Sequence, residues 1–306
     1  MLINELFIYG KHVLLSSLHK IFNHILNVGC FPETWTDGLI IPLHKKGDIN
    51  VATNYRGITL LSTFSKLFTR VINNRLNKWA DRYGLIIEAQ AGFRKKYSTA
   101  DNIFVLHTLI SHVVNNRRKL FCAFIDFRRA YDCINHRCLW YKLIKCGIRG
   151  KLLNVIRSMY RLVKSKVVGF DGKLSEVFEC ILGVRQGECL SPFLFALFIN
   201  DIEHELRVHG VDGISMGNLK LYMLLYADDA VIFSETEYGL QTALDTMSSY
   251  CTRWKLELNT EKTKIMVFRK AGRLRRNLVF TYNNQELEIV AHFVYLGFLF
   301  RLHNKC

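Results

Sequence analysis

Leu14, Leu15, Leu18, Ile21, Phe22, Ile25 and Leu26 recur at helical spacing, and Gly29 and Pro32 end the run, so the chain is expected to open with a helix. Residues 39–43 form a short apolar run that reads as a strand, followed by a polar loop over 44–48. Ser62 stands where it can cap a second helix with the apolar face Leu67, Phe68, Val71, Ile72, Leu76 and Trp79, ending near Gly84. Ser98 and Asp101 have the spacing of a capping box for a third helix, which carries Ile103, Leu106, Leu109, Ile110, Val113 and Val114.

From residue 119 the texture changes. Residues 120–127 read as a buried strand, and helices are expected over 135–146, with Gly147 as the stop, and over 151–162. Two β-prone runs joined by Asp171-Gly172 predict a hairpin. Ser191-Pro192 supplies a cap residue and a first-position proline to a helix too apolar for a surface. Runs at 222–226 and 230–233 flank Ala227-Asp228-Asp229 and predict a second hairpin. A helix marked by Leu240, Leu244, Met247, Tyr250, Cys251 and Trp254, then short strands near 265–268, 278–282 and 293–300, complete the pattern. With helices first, then strands mixed with helices, and no internal repeat, the class is α+β.

The 306 residues are half apolar with only 3 prolines, which is material for about two packed lobes rather than a disordered tail. Lys and Arg number 42 against 26 Asp and Glu, leaving +16, a charge that attracts polyanions: nucleic acid or an anionic membrane surface. No apolar run reaches the ~18 residues of a spanning helix, and residues 1–10 lack the basic cluster of a secretory signal. An intracellular protein without membrane partners is expected. Nine cysteines, with no C-x-x-C pair, argue against a disulfide framework or a thiolate zinc site. Cys133, His136 and Cys138 are close in sequence but read as packing residues.

Carboxylates interrupt this apolar pattern. Asp126 lies between Ile125 and Phe127 in a run that otherwise reads as buried, where an unpaired carboxylate is costly. Asp228 and Asp229 are adjacent at the bend of an apolar hairpin and repel each other. Singly, Asp126 could pair with an arginine, and Asp228 and Asp229 could be turn formers. Together they point to two strands bringing three hard oxygen donors to one Mg²⁺ site.

At these residues the chain resembles the reverse transcriptases of non-LTR (LINE-type, jockey-like) retrotransposons. The resemblance runs in order through HKKGD (44–48), NYRGITLLS (54–62), QAGFRKKYSTADN (90–102), FIDFRRAYD (124–132), GVRQGECLSPFLF (183–195), YADD (226–229), LNTEKTK (258–264) and YLG (295–297). It implies a right-hand polymerase core that extends a primer 3′-hydroxyl on an RNA template, using deoxynucleoside triphosphates and two Mg²⁺ ions, with Mn²⁺ as an alternative. It implies that Asp126 and Asp228 are the main metal ligands, assisted by Asp229, and that Lys262 protonates leaving pyrophosphate; an exposed lysine is the alternative. Lys45, Lys46 and Arg56 are expected on the triphosphate, with Gly57, where many members have proline, softening that loop. Gln186 and Gly187 are expected against the nucleotide, and Tyr131 is expected as the aromatic gate under the sugar; a core aromatic is the other reading. Asp132 is read as a helix cap or local acceptor.

Arg94 is expected on a nucleic-acid backbone, Arg185 on template or in solvent, and Tyr295, Leu296 and Gly297 at the primer end. The cluster Arg269, Lys270, Arg273, Arg275 and Arg276 reads equally as a solvated turn or a nucleic-acid contact. The resemblance assigns residues 1–34 to an N-terminal helical extension, 35–118 to fingers and 119–300 to palm, with a fingers insertion near 160–190. Residues 301–306 would only begin a thumb, so the thumb is expected to be largely absent and the chain a truncated or degenerate copy with its active-site residues intact. The rival expectations are a catalytically silent nucleic-acid-binding remnant and an intron-type enzyme; the nucleus is the compartment expected from the resemblance.

Overall fold

The computed structural model describes residues 4–270 and 277–302. Its elements begin with α1 (Asn4–Tyr9), α2 (Lys11–Val28), β1 (Gly38–His44), β2 (Tyr55–Leu60), α3 (Thr63–Tyr83), α4 (Thr99–Asn115) and β3 (Leu120–Asp126). Next come α5 (His136–Lys145), α6 (Gly150–Met159), β4 (Lys164–Val167), β5 (Phe178–Glu179), α7 (Ser191–Phe198), α8 (Ile202–Val208), β6 (Ile214–Met216) and β7 (Leu219–Leu221). The chain ends with β8 (Met223–Tyr226), β9 (Asp229–Ser234), α9 (Glu237–Trp254), β10 (Lys264–Phe268), β11 (Phe280–Tyr282), β12 (Gln285–Leu287), β13 (His292–Tyr295) and β14 (Phe298–Arg301). Helices and antiparallel strands occur together, as the α+β pattern requires.

Two compact units share the chain. The first comprises Met1–Leu85 with Tyr131–Phe198, the second Ile86–Ala130 with Ile199–Cys306. In the first, β2, β1, β4 and β5 form a sheet in that order, in which only the β1–β4 pair is parallel. Helix α3 follows Ser62 and ends at Gly84 in the left-handed conformation, burying Phe68, Ile72 and Leu76. Asp171-Gly172 turns the chain between β4 and β5, with Gly172 at φ +77°. Helix α7 is buried along nearly its whole length.

In the second unit, β10, β3, β9 and β8 form an antiparallel sheet in that order. Alternation sends Cys122 and Phe124 of β3, Val231 and Phe233 of β9, and Met266 and Phe268 of β10 to one face. That face packs against Leu106, Leu109 and Val113 of α4 and against Tyr295 and Phe300 of the β13–β14 hairpin, with Phe124 stacked on Phe293 at 4.5 Å. The Ser98–Asp101 capping box is present, and the helix it starts, grouped by sequence with the fingers, packs on this sheet.

Several elements differ from expectation. Strand β2 was not marked by an apolar run, and Gly57 is a strand residue opposite Pro42, where a Cβ would meet Ile40 at 2.9 Å, rather than a softened loop. The strand expected over 293–300 is a hairpin that reverses at Leu296 and Gly297, both at positive φ (+50° and +83°), as tight hairpin turns demand. Asn135, not Asp132, caps α5; Asp132 instead accepts a hydrogen bond from Gln186 at 2.9 Å. The eight cysteines among the described residues form no disulfide, and no described helix is long and apolar enough to cross a membrane.

Candidate active site

Strand register brings the carboxylates together. Asp126 ends β3 directly opposite Asp229, the first residue of β9, and Asp229 is also opposite Tyr226 at the end of β8. Ala227 and Asp228 make the turn between β8 and β9, with Ala227 at φ +57°, a conformation an alanine adopts only when its neighbours hold it. The alternation that buries Phe124 places Asp126 at the open end of the same sheet face. Asp126 is anchored through its backbone: its N–H donates to Thr263 Oγ1 at 3.2 Å and its carbonyl accepts from Asn259 N–H at 2.8 Å.

The electrostatics follow from this crowding. Desolvation, then the neighbouring charges of Asp228 and Asp126, pushes the Asp229 carboxyl up to about 6. Lys262 Nζ lies 3.8 Å from Asp126 Oδ2, so the partner of Asp126 is this lysine and not an arginine. Among the described residues no three His, Cys, Asp or Glu side chains are closed into a metal cage. The donor set nevertheless suits a hard divalent cation: it is all carboxylate oxygen, mutually repelling, and carries one proton affinity raised by desolvation and by the neighbouring carboxylates.

The first unit gathers another set of the selected residues. Lys45 and Lys46 follow β1, and Arg56 is exposed on β2. The Gln186 carbonyl accepts from Thr59 N–H of β2 at 2.9 Å, and Gly187, at φ +103°, approaches so closely that a Cβ would lie 2.8 Å from the Thr59 carbonyl oxygen. The Tyr131 carbonyl accepts from Val184 N–H at 2.7 Å, and its half-buried ring stacks on Phe195 at 4.7 Å. Tyr131, Gln186, Gly187 and β2 thus belong to one packed neighbourhood. In the second unit Tyr295 is buried, whereas Gly297 is exposed at the hairpin turn.

The sequence profile of the reverse transcriptase (RNA-dependent DNA polymerase) family matches residues 43–300. The chain belongs to the reverse transcriptase family. It is 30% identical over 261 residues to the RNA-directed DNA polymerase from mobile element jockey of Drosophila melanogaster, covering 83% of this chain and 28% of that protein. It is 32% identical over 259 residues to the probable RNA-directed DNA polymerase from transposon BS of the same fly, covering 80% and 27%. The chain therefore spans under a third of these relatives. Among solved structures, apo telomerase from Candida tropicalis truncated from its C-terminal domain shares the fold, with TM-score 0.57 and 15% identity over 84% of this chain and 54% of that one.

Two basic residues of this reverse transcriptase chain do not take the places expected of them. Arg94 is largely buried and committed to its own segment: it donates to the carbonyls of Ile87 and Gln90 at 3.2 and 3.1 Å and to Glu88 at 3.3 Å, and lies 4.2 Å over the Tyr97 ring. Arg185 is buried rather than solvated. It is 8% exposed, donates to the Met159 carbonyl at 2.8 Å and lies above the Tyr160 ring, with the 4% exposed Glu188 nearby. Burial lowers the Arg185 pKa and raises that of Glu188, and the opposite charge of each partly offsets the shift of the other. In the basic cluster at 269–276, Arg273, Arg275 and Arg276 lie outside the described residues. Thr263 and Gln90, buried beside the carboxylates, were not selected from sequence; their places inside LNTEKTK and QAGFR were the available signal.

Proposed function

We propose that this chain is the polymerase region of a non-LTR retrotransposon reverse transcriptase, extending a primer 3′-hydroxyl with deoxynucleoside triphosphates on an RNA template. The observation that carries this reading is the register of Asp126 opposite Asp229, with Asp228 in the adjoining turn. Asp126 and Asp228 would hold two Mg²⁺ ions, or Mn²⁺ in their place, with Asp229 assisting. Bound ions of this kind neutralise charge on the attacking and leaving oxygens of an in-line phosphoryl transfer.

The chain's own residues supply the rest. Lys262, beside Asp126, would carry the proton for departing pyrophosphate. Lys45, Lys46 and Arg56 would bind the triphosphate, the guanidinium in a forked geometry. Gln186 and Gly187 would lie along the nucleotide, and the Tyr131 ring would exclude a ribose 2′-hydroxyl. The turn of Tyr295, Leu296 and Gly297 would hold the primer end. We assign the β2-β1-β4-β5 sheet to fingers and the β10-β3-β9-β8 sheet to palm, and, on family grounds alone, the nucleus as compartment.

Primer extension on poly(rA) with oligo(dT) and Mg²⁺ tests the reading. Asp126→Asn or Asp228→Asn should abolish extension while leaving template binding unchanged. Folded parent protein that binds the hybrid yet adds no nucleotide would make the silent nucleic-acid-binding alternative correct.

A further inference from the structure

We propose that Gln90 is a positioning residue that fixes the Ala227–Asp228 turn, and with it the carboxylates on either side of that bend. The catalytic consequence rests on the polymerase reading; the clamp itself rests on geometry. Residues 89–91 run beside β8: Ala91 N–H donates to the Leu225 carbonyl at 2.9 Å and Leu225 N–H donates to the Ala89 carbonyl at 2.8 Å. This alignment delivers the Gln90 side chain, 1% exposed, to Ala227. Its Oε1 accepts from Ala227 N–H at 2.9 Å and from Gly92 N–H at 2.8 Å, while its Nε2 donates to the Ala227 carbonyl at 3.2 Å.

A primary amide can satisfy both backbone groups of one residue, and here it does so at the residue with φ +57°. Left-handed backbone disfavours alanine by roughly tenfold in population, so a fixed external partner is what such a turn needs. Two neighbours stiffen the clamp. Arg94 donates to the Gln90 carbonyl, and Asn102 Nδ2 donates to the Leu225 carbonyl at 3.1 Å. Gly92 comes so near that a Cβ there would lie 2.1 Å from Ala227 N, so only a residue without a side chain permits the approach. The Gln, Gly and Arg of QAGFR thereby act together to hold the bend that carries Asp228.

Gln90→Leu, Ala227→Gly and the double variant test this in the full chain. Hydrogen exchange at the Ala227 amide, Mn²⁺ affinity by electron paramagnetic resonance, and primer extension are measured on each. Gln90→Leu should raise Ala227 exchange at least tenfold while the Ile125 and Ile232 amides of the sheet keep their protection, weaken Mn²⁺ binding about tenfold, and lower kcat with KM for nucleotide unchanged. Glycine adopts positive φ without help, so in the Ala227→Gly background the same loss should shrink to threefold or less. If Gln90→Leu does not fold, Gln90→Asn, whose amide is withdrawn by one methylene, decides by the same measurements. Unchanged Ala227 exchange, unchanged Mn²⁺ affinity, or equal losses in the two backgrounds would each overturn the proposal. A parent that binds no Mn²⁺ and extends no primer refutes the polymerase reading separately; Ala227 exchange and the coupling of the two substitutions in stability then decide the clamp.

Discussion

Asp229→Asn should stabilise the metal-free protein, because this carboxylate is held where its charge is unwelcome. Its proton affinity rises from 3.8 to about 6 through desolvation and through Asp228 and Asp126. Taken whole, such an elevation corresponds to about 3 kcal/mol of folding stability lost at neutral pH. Asp229 is exposed, so solvent screening reduces the usable figure to about 1 kcal/mol. The folded state binds the proton more tightly than the unfolded chain, so the penalty is complete above pH 6 and fades as pH falls towards 3.8. Urea denaturation in EDTA at pH 7.5 should give the variant about 1 kcal/mol more stability than the parent, and the difference should vanish near pH 4. Added Mg²⁺ should reverse the order at pH 7.5, since an ion that binds only the folded carboxylate cluster stabilises the parent by mass action and the variant less. A variant equal to or weaker than the parent in EDTA at pH 7.5 would refute the crowding argument.

Lys262→Met should cost under about 1 kcal/mol in stability, its ion pair being largely exposed, yet lower kcat by about 10²-fold; a proportionate loss of both would make Lys262 merely structural. Tyr131→Ala should raise ribonucleotide use relative to deoxynucleotide use, and an unchanged ratio of kcat/KM for the two sugars would leave the ring as a packing partner of Phe195. Gly187→Ala forces a side chain to φ +103° against the Thr59 carbonyl and should destabilise by about 1–2 kcal/mol while raising KM for nucleotide; a silent substitution in both assays would remove this loop from the site.

The carboxylates were legible because charge inside an apolar strand is conspicuous in a sequence, and the hairpin flanking Ala227 was marked by two β-prone runs. The capping box of Ser98 and Asp101 was legible for a similar reason, since its two residues are local and chemically specific. What escaped was non-local. Arg185 reads as a surface cation because nothing nearby in sequence shows that the carbonyl of Met159 will accept its donor. Gln90 reads as a polar loop residue until Leu225 pairs with its segment and brings it to Ala227. The reversal at Leu296 was hidden inside an apolar run, because a bulky residue at positive φ leaves no mark in a hydrophobicity pattern.

The pairing order of the β10-β3-β9-β8 sheet also shapes the protein's birth. Strand β3 finds its partners only in β9 and β10, which emerge from the ribosome about 100 residues or more after it. At the usual ~5–20 residues per second, the apolar Leu120–Ile125 ribbon waits for seconds with both edges open, a template for mispairing between nascent chains. The chain also leaves its first unit at residue 85, returns at 131 and leaves again after 198, so neither unit can close before a later stretch is made. Slow, chaperone-dependent production is the expected cost of carrying Asp126 on an inner strand of the sheet, and co-expression with a nascent-chain chaperone should raise soluble yield more than lowering the expression temperature does.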